Sequence, residues 1–134
     1  MKYLIIAVFS LILTSTLVKS QTVEELYNRG NYNISKNLFQ DAIKNFNEAL
    51  AVDSSYYKAY HGKATAELSL SMFKEAIKDY SQAIKFKFNY GEAFYARGIA
   101  KLALGDSDGA CRDFHQAHDF NIKEALDMMD QYCR

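Results

Sequence analysis

Three stretches of the sequence decide the fold: DAIKNFNEAL at residues 41–50, EAIKDYSQAI at 75–84 and GACRDFHQAH at 109–118. Their first residues are evenly spaced along the chain, and in each stretch an alanine, an aromatic residue and a second alanine stand at the same places. A fixed repeat period of this length indicates a chain built from repeated structural units. In the first copy the apolar residues recur at every third or fourth position, which predicts one buried face of an α-helix.

Five columns of similar residues hold over three copies when the sequence is shifted by one repeat period. They are Leu26, Tyr60 and Phe94; Gly30, Ala64 and Gly98; Ala42, Ala76 and Ala110; Phe46, Tyr80 and Phe114; and Ala49, Ala83 and Ala117. Small residues let two helices approach closely, and large aromatic residues fill the space between neighbouring helix pairs. Each copy is therefore predicted to fold as helix, turn and helix. Asp53, Ser54, Asn89 and Asp106 are predicted to cap the helices that follow them.

Together these columns resemble the tetratricopeptide repeat family over about residues 23–122. The resemblance implies an all-α fold, a right-handed superhelical solenoid of three 34-residue helix-turn-helix repeats at residues 23–56, 57–90 and 91–122. Two departures from the family pattern stand out. The tyrosine usual at the eleventh place is replaced by Asn33, Glu67 and Lys101, and the proline usual near the end of a repeat is replaced by Ser54, Phe88 and Ile122.

The C-terminal segment, residues 123–134, is predicted to form a capping helix. Asn121 stands three residues before Glu124, which resembles a capping box. The last repeat of a stack has an open apolar side that another element must cover. A short apolar stripe that includes Leu126 and Met129 suits this segment to that place.

The first twenty residues, MKYLIIAVFSLILTSTLVKS, differ in character from the rest of the chain. A lysine followed by an apolar run is typical of a signal peptide, so residues 1–20 are predicted to be removed and Gln21 to become the first residue. The alternative is an uncleaved membrane anchor, although the run is shorter than the ~20 residues that a spanning helix needs. We expect export to a periplasm, the cell envelope or the exterior. Without Lys2 and Lys19, 14 basic side chains face 16 acidic ones.

Cys111 and Cys133 are the two cysteines of the chain, and each lies eleven residues from Ile122, the predicted turn. If the helices on either side of that turn run antiparallel, the two cysteines lie level with each other. An exported chain meets oxidising surroundings, so we predict a Cys111–Cys133 disulfide that holds the cap in place. Two reduced, buried thiols are the alternative. A thiol or metal enzyme that uses His115 beside them is a weaker one, and His118 is interpreted as a partly buried structural residue.

No nucleophile–base pairing, glycine-rich phosphate loop or carboxylate pair appears in the sequence, and the net charge is zero over the whole chain. A nucleic-acid-binding protein would normally carry a basic excess. We therefore predict a protein that is not an enzyme, binds no metal and no cofactor, and does not bind nucleic acid. Any contact with a membrane would be through an uncleaved signal segment.

In the resembled family, the first helix of each repeat lines a concave groove that binds peptides or protein segments. The matching positions here are Tyr27, Asn28, Asn31, Lys58, His61, Thr65, Glu92, Tyr95 and Ile99. The resemblance therefore implies an adaptor or scaffold that holds a protein or peptide partner in this groove. The basic and amide residues with which some members clamp acidic chaperone tails are missing, because only Asn31 matches them. The alternative function is a structural subunit or homo-oligomer of an envelope assembly.

Overall fold

The computed structural model describes residues 2–133, except for the side chains of residues 3–5, 7 and 9–21. Over this range the chain forms seven α-helices and no strand. The helices are α1 (Lys2–Ser35), α2 (Phe39–Val52), α3 (Tyr57–Ser69), α4 (Phe73–Phe86), α5 (Gly91–Ala103), α6 (Ser107–Asp119) and α7 (Glu124–Tyr132). Each helix packs mainly against the next one along the chain, as in a solenoid. The predicted all-α helical solenoid is thus confirmed.

The repeated alanine and aromatic columns form the core. In each of α2, α4 and α6 the two alanines and the aromatic residue between them have no exposed surface. Those residues are Ala42, Phe46 and Ala49; Ala76, Tyr80 and Ala83; and Ala110, Phe114 and Ala117. They lie three or four positions apart and therefore share one face of each helix. Burial of this face against the neighbouring helices is the main source of stability for the stack.

Two glycines show how closely the helices approach. A β-carbon built on Gly30 would lie 2.5 Å from the ring of Phe46, and one built on Gly62 would lie equally close to the same ring. Real β-carbons are not found at such distances from aromatic atoms. The Phe46 ring is therefore clamped between α1 and α3 at positions where no side chain can be accommodated.

Most of the predicted helix caps are wrong. Of α2 to α7, only α6 starts with a side-chain cap, in which Asp106 accepts a hydrogen bond of 2.9 Å from the Gly109 amide. Asp53 instead accepts from the Ser55 amide within the turn before α3. Backbone hydrogen bonds hold the chain in these turns, so α3 and α5 begin after Tyr56 and Tyr90 rather than after Ser54 and Asn89.

The predicted capping box before α7 is also wrong. Asn121 has a left-handed backbone with φ of 68°, and its amide donates to the His118 carbonyl at 2.9 Å. It therefore ends α6 rather than starting α7, which follows Lys123 without a side-chain cap.

Helix α7 packs on α6 and buries Ala125 completely. A disulfide joins Cys111 of α6 to Cys133 at the end of α7, with an S–S distance of 2.11 Å and 5.5 Å between the Cα atoms. The C-terminal side of the apolar core around Phe114 is thereby covered by a helix that is also held covalently.

The predicted signal peptide falls mostly on residues whose side chains lie outside the described part of the structure, so it stays a prediction. Among the described residues, no helix combines the length and the apolar character that crossing a membrane requires.

Candidate functional site

The first helices of the three pairs, α1, α3 and α5, lie beside one another, and they carry the lining residues of the predicted groove. None of its nine predicted lining residues is buried: Asn28 and Glu92 are exposed, and the other seven are half-buried. The groove surface is therefore accessible to solvent at every predicted position. Gly62 lies on the same helix as Lys58 and His61 but is buried against Phe46, so it serves helix packing instead.

An aromatic unit crosses from the first helix pair to the second. The rings of Tyr27 and Tyr56 meet edge to face with 5.6 Å between their centroids. The Tyr56 hydroxyl donates to the Glu24 carboxylate, and the Lys58 ammonium lies 5.9 Å from the Tyr27 ring centre and 6.0 Å from that of Tyr56. Burial, with Glu24 as a second cause, raises the pKa of Tyr56 well above its usual range. Tyr56 therefore stays a neutral donor.

A second unit of the same kind lies one repeat further along. Tyr57 and Tyr90 meet edge to face at 5.3 Å, and the Lys87 ammonium lies 5.0 Å and 4.9 Å from the two ring centres. A cation placed over an aromatic face is attracted by the ring quadrupole. The two units together make a row of tyrosine rings and lysine ammonium groups along this end of the groove.

His61 lies between the two units and the core. Its ring is 4.9 Å from that of Tyr90 and 5.5 Å from that of Tyr80. Burial lowers the pKa of His61 to about 4, against the opposing effect of Glu92. His61 is therefore neutral near pH 7 and gives the groove an uncharged ring.

Thr65 connects the groove floor to the core. Its hydroxyl donates to the His61 carbonyl at 2.9 Å and lies 3.2 Å from the hydroxyl of Tyr80. Tyr80 is fully buried, and burial raises its pKa to about 12. The Thr65 hydroxyl therefore gives the buried Tyr80 hydroxyl a hydrogen-bond partner. This contact contributes to the rigidity of the groove floor.

The opposite end of the groove is apolar. Tyr95 and Ile99 pack against the cluster around Phe114, and Met129 of α7 packs against the same cluster. Leu126 of α7 is 47% exposed.

Sequence reasoning missed several residues of this surface. Tyr56, Tyr57, Tyr90 and Lys87 are not among the predicted lining residues. A signal for two of them was present, because Tyr56 and Tyr90 are separated by one repeat period. Both lie in the turn before a helix, and turn residues are harder to assign to a face than residues with helical spacing.

The residues considered for thiol or metal chemistry are not brought together as a site. Both sulfurs belong to the disulfide, and His115 and His118 are exposed on α6. The interpretation of His118 as partly buried is therefore wrong, because its side of α6 faces solvent. Within the described part of the chain, no group of three histidine, cysteine or carboxylate residues has the geometry to hold a metal ion.

The fold is that of several solved structures. The second TPR domain of Spaghetti (RPAP3), bound to the HSP90 peptide SRMEEVD, is 28% identical with a TM-score of 0.76, over 80% of this chain and 98% of that one. The second TPR domain of human RPAP3, in complex with the HSP70 peptide SGPTIEEVD, is 25% identical with a TM-score of 0.81, over 87% and 98%. PcrH, in complex with the chaperone-binding region of PopD, is 23% identical with a TM-score of 0.82, over 85% and 92%.

No protein-family model matches the sequence, and no curated protein matches it. The similarity to these domains is therefore a similarity of fold, and it extends over nearly their whole length. The repeated columns of the sequence agree with it. The chain is thus a tetratricopeptide-repeat protein in fold, which confirms the resemblance read from its repeated columns.

Proposed function

We propose that this chain is a non-catalytic adaptor that holds an extended segment of a partner protein in its concave groove. The observation that carries the proposal is the half-buried row of tyrosine rings and lysines that runs from α1 over α3 to the turn before α5. Tyrosines supply large contact areas at a low cost in conformational entropy, and they are enriched at protein interfaces. Several proteins with the same fold bind peptide segments, among them the RPAP3 domains and PcrH.

The acidic peptides in those structures are not the partner we propose here. Glu24 and Glu92 are both exposed on the groove side, and they would repel a uniformly acidic segment. The neutral His61 supplies no compensating charge. The chain therefore shares the fold of these domains with a different groove chemistry.

The ends of the stack support a free adaptor over an end-to-end polymer. Helices α3 and α5 each turn a face toward the preceding helix pair, and that face carries two fully buried alanines. They are Ala59 and Ala66 on α3, and Ala93 and Ala100 on α5. At the same places α1 carries Glu25, which is exposed, and Tyr32, which is 62% exposed. A charged residue and a bulky ring there are unsuited to another repeat, and α7 covers the other end. Terminal repeats of solenoids have such polar outer faces.

A structural subunit is the second proposal, and one surface favours it. Phe88, in the turn before α5, is 77% exposed, and Phe86 beside it is 42% exposed and stacks on Tyr60 at 5.8 Å. An exposed aromatic pair can serve as a contact between copies. Light scattering on the purified protein separates the two proposals: a stable dimer that Phe88→Ser converts to a monomer would favour the subunit.

Export to a periplasm, the cell envelope or the exterior is part of the proposed function. Thr22 stands three residues before Glu25, the spacing of a capping box, so a chain that begins at Gln21 has its own helix start. The mass of the protein recovered from the envelope or the medium tests this. A chain that begins at Gln21 is expected, and a full-length chain in the cytoplasm would contradict export.

The groove is tested by cross-linking and capture from the envelope fraction or the medium. The groove variant carries Asn28→Arg and Asn31→Arg on α1, and the matched control carries Gln40→Arg and Asn47→Arg at exposed sites on α2. Both add the same charge, and circular dichroism checks that both fold. A partner lost only with the groove variant supports the proposal. A partner kept by the groove variant and lost with the control would place the site on the second helices instead.

A further inference from the structure

We propose that residues 85–88, at the end of α4 and in the turn before α5, form a docking segment for an anionic lipid membrane. Phe86 and Phe88 enter the interfacial region of the bilayer, and Lys85 and Lys87 contact the anionic headgroups. The sequence alone suggests membrane contact only through residues 1–20, and the folded chain adds this second element. The inference goes beyond the proposed adaptor function and does not depend on what the groove binds.

Two large aromatic side chains of the docking segment are exposed to solvent. Phe88 is 77% exposed, the highest value among the large apolar side chains of the described residues, and Phe86 is 42% exposed. The Phe86 ring stacks on that of Tyr60 with 5.8 Å between the ring centres, which supports it from one side. Apolar surface exposed in this way is a feature of sites that contact proteins or membranes.

The repeat fold does not require these phenylalanines. The docking segment reads KFKF, whereas the stretches one repeat period before and after it read AVDS at residues 51–54 and DFNI at 119–122. Phe88 corresponds to Ser54, which is polar, and to Ile122, which is half-buried and lies against Gly91 of α5. Only the second of the three copies therefore leaves a large and mostly exposed apolar side chain at this place.

Lysines alternate with the phenylalanines, and this favours a lipid surface as the occupant. Lys85 is exposed, and its ammonium lies 5.8 Å from the centre of the Phe86 ring. No acidic residue stands between Asp79 and Glu92, so the docking segment itself is basic. Lysines close to an anionic membrane surface are attracted to it, while aromatic side chains beside them lie in the interface. A second copy of the chain would instead bring the same lysines against one another.

Contacts place the N-terminal segment at the same end of the stack. The Tyr56 hydroxyl, in the turn before α3, donates to the Glu24 carboxylate of α1. Tyr57 meets Tyr90, which follows the docking segment, edge to face at 5.3 Å. Helix α1 reaches Glu24 after the apolar run of residues 3–18, so that run leads to this end. A chain still held in a membrane by the run would present this end to the bilayer, and a cleaved chain keeps it available.

Tryptophan fluorescence tests which end meets lipid, because the chain has no tryptophan of its own. Phe88→Trp places an indole in the docking segment. The matched control, Leu104→Trp, places one at a 46% exposed site just after α5, at the opposite end of the stack. Vesicles of equal parts phosphatidylglycerol and phosphatidylcholine are expected to shift the Phe88→Trp emission to shorter wavelength, and brominated lipids are expected to quench it. The Leu104→Trp emission is expected to stay unchanged.

The full-length chain and the chain that begins at Gln21 are both measured. The three core clusters contain no residue before Leu26, so the shorter chain retains all of them, and circular dichroism checks that it folds. In the full-length chain residues 1–20 are themselves expected to bind lipid, so the readout there is the environment of the indole. In the shorter chain it is also the bound fraction.

Sedimentation with the same vesicles measures the affinity of the shorter chain. The double variant Phe86→Ser, Phe88→Ser is expected to weaken binding at least about tenfold, because it removes the apolar surface that enters the interface. Lys85→Gln, Lys87→Gln is expected to weaken binding at least about fivefold through the loss of headgroup attraction. Glu92→Gln is expected to strengthen it, because Glu92 is an exposed carboxylate near the docking segment.

Two matched controls make the same chemical changes at exposed sites elsewhere. They are Leu38→Ser, Leu104→Ser, in turns at the opposite end, and Lys74→Gln, Lys78→Gln on α4. Both are expected to bind the vesicles nearly as wild type does. Pure phosphatidylcholine vesicles are expected to bind the wild-type chain more weakly than the anionic ones.

The inference would be overturned if the shorter chain did not bind anionic vesicles, or bound neutral vesicles equally well. Equal losses in the docking variants and their controls would also overturn it, as would an unchanged Phe88→Trp emission in the full-length chain. A dimer that Phe88→Ser converts to a monomer, without vesicle binding, would assign the phenylalanines to a contact between copies. None of these results bears on the groove, which the capture experiment with Asn28→Arg, Asn31→Arg tests separately.

Discussion

The guanidinium of Arg97 donates two hydrogen bonds to the carboxylate of Asp113, at 2.9 Å from Nε and 2.7 Å from Nη2. Asp113 is 3% exposed, and Lys101 adds a third contact to it at 2.8 Å. Arg97 also donates to the Ser81 hydroxyl on α4 at 2.9 Å. This buried network joins three successive helices and fixes how α5 lies between α4 and α6.

Replacement of Asp113 by alanine is expected to lower the free energy of unfolding by about 3–5 kcal/mol. The reason is that two half-buried cations, Arg97 and Lys101, would lose the buried carboxylate that they share. Urea unfolding followed by circular dichroism measures the change. Asp119→Ala, at an exposed site of the same helix, is the matched control and is expected to stay within about 0.5 kcal/mol of wild type. Similar effects of the two substitutions would contradict the role of the network.

In the corresponding network of the second repeat, carboxylates outnumber cations, whereas around Asp113 the cations outnumber the carboxylate. Lys63 lies 3.0 Å from Asp79 and 3.9 Å from Glu67, so one cation serves two buried carboxylates. Oε2 of Glu67 is buried and has no hydrogen-bond partner. Burial, followed by the charge of Asp79, raises the pKa of Glu67 to about 8. The folded state therefore holds a proton on Glu67 that the unfolded state releases above about pH 4.5.

Glu67→Gln is expected to raise the free energy of unfolding by about 1–2 kcal/mol at pH 8, because it removes a buried group that would have to ionise without adequate partners. The sign follows from the raised pKa: the contribution of Glu67 is lost as the pH rises from about 4.5 to about 8. Urea unfolding at half-unit pH steps measures the difference between wild type and variant. A difference that does not grow over this window would contradict the prediction.

The two networks could not be predicted from the sequence, whereas the repeated columns could. The alanine and aromatic columns could be read because they recur at a fixed period and have helical spacing. Asn33, Glu67 and Lys101 were recognised only as departures from the family pattern. The residues that face them on the second helices, Asn45, Asp79 and Asp113, also recur at the repeat period, but which helix positions face each other is decided by packing. Glu67 and Asp79 share the cation Lys63. The contacts that replace the usual tyrosine are therefore seen only in the folded helix pairs.

The groove was predicted in the same uneven way. Its helical lining residues could be assigned to one face because they follow the helix period. The tyrosines in the turns could not, because the geometry of a turn depends on its backbone hydrogen bonds. The cap predictions for Ser54 and Asn89 are wrong for a related reason. The turns end one or two residues later, at Tyr56 and Tyr90.

Residues 37, 71 and 105 occupy the same place in the three turns and all have a positive φ: 59° for Asn37, 60° for Ser71 and 82° for Gly105. Asparagine and glycine tolerate this conformation, whereas serine does so less well. Ser71→Gly is therefore expected to stabilise the protein by about 0.5–1 kcal/mol, and Gly105→Ala to destabilise it by about 1 kcal/mol. A β-carbon at Gly105 meets no atom within 4 Å, so any loss there reports the backbone alone. Thermal unfolding checks both, and a destabilising Ser71→Gly would contradict the prediction.

The Cys111–Cys133 disulfide closes a loop between residues 22 positions apart. Its reduction is expected to lower the free energy of unfolding by about 3 kcal/mol in the chain-entropy model. Hydrogen exchange at the amides of α7 should accelerate most, because this short helix has the fewest neighbours to hold it. The Cys111→Ser, Cys133→Ser double variant should match the reduced protein and not respond to reductant. Two titratable thiols in protein recovered from its native compartment would contradict the disulfide.

The last prediction concerns His61, whose ring is held between Tyr80 and Tyr90. Its pKa is lowered to about 4 by burial, from about 6.5, so the unfolded state takes up a proton in this interval and the folded state does not. The free energy of unfolding is therefore expected to fall as the pH drops from about 6.5 to about 4. His61→Phe keeps a ring between the tyrosines and removes the titration, so the variant should lose about 1–3 kcal/mol less than wild type over this interval. Denaturant unfolding of both proteins across the interval measures the difference, in which the shared carboxylate titrations cancel. Parallel curves would show that His61 takes up its proton as readily in the folded protein as in the unfolded chain.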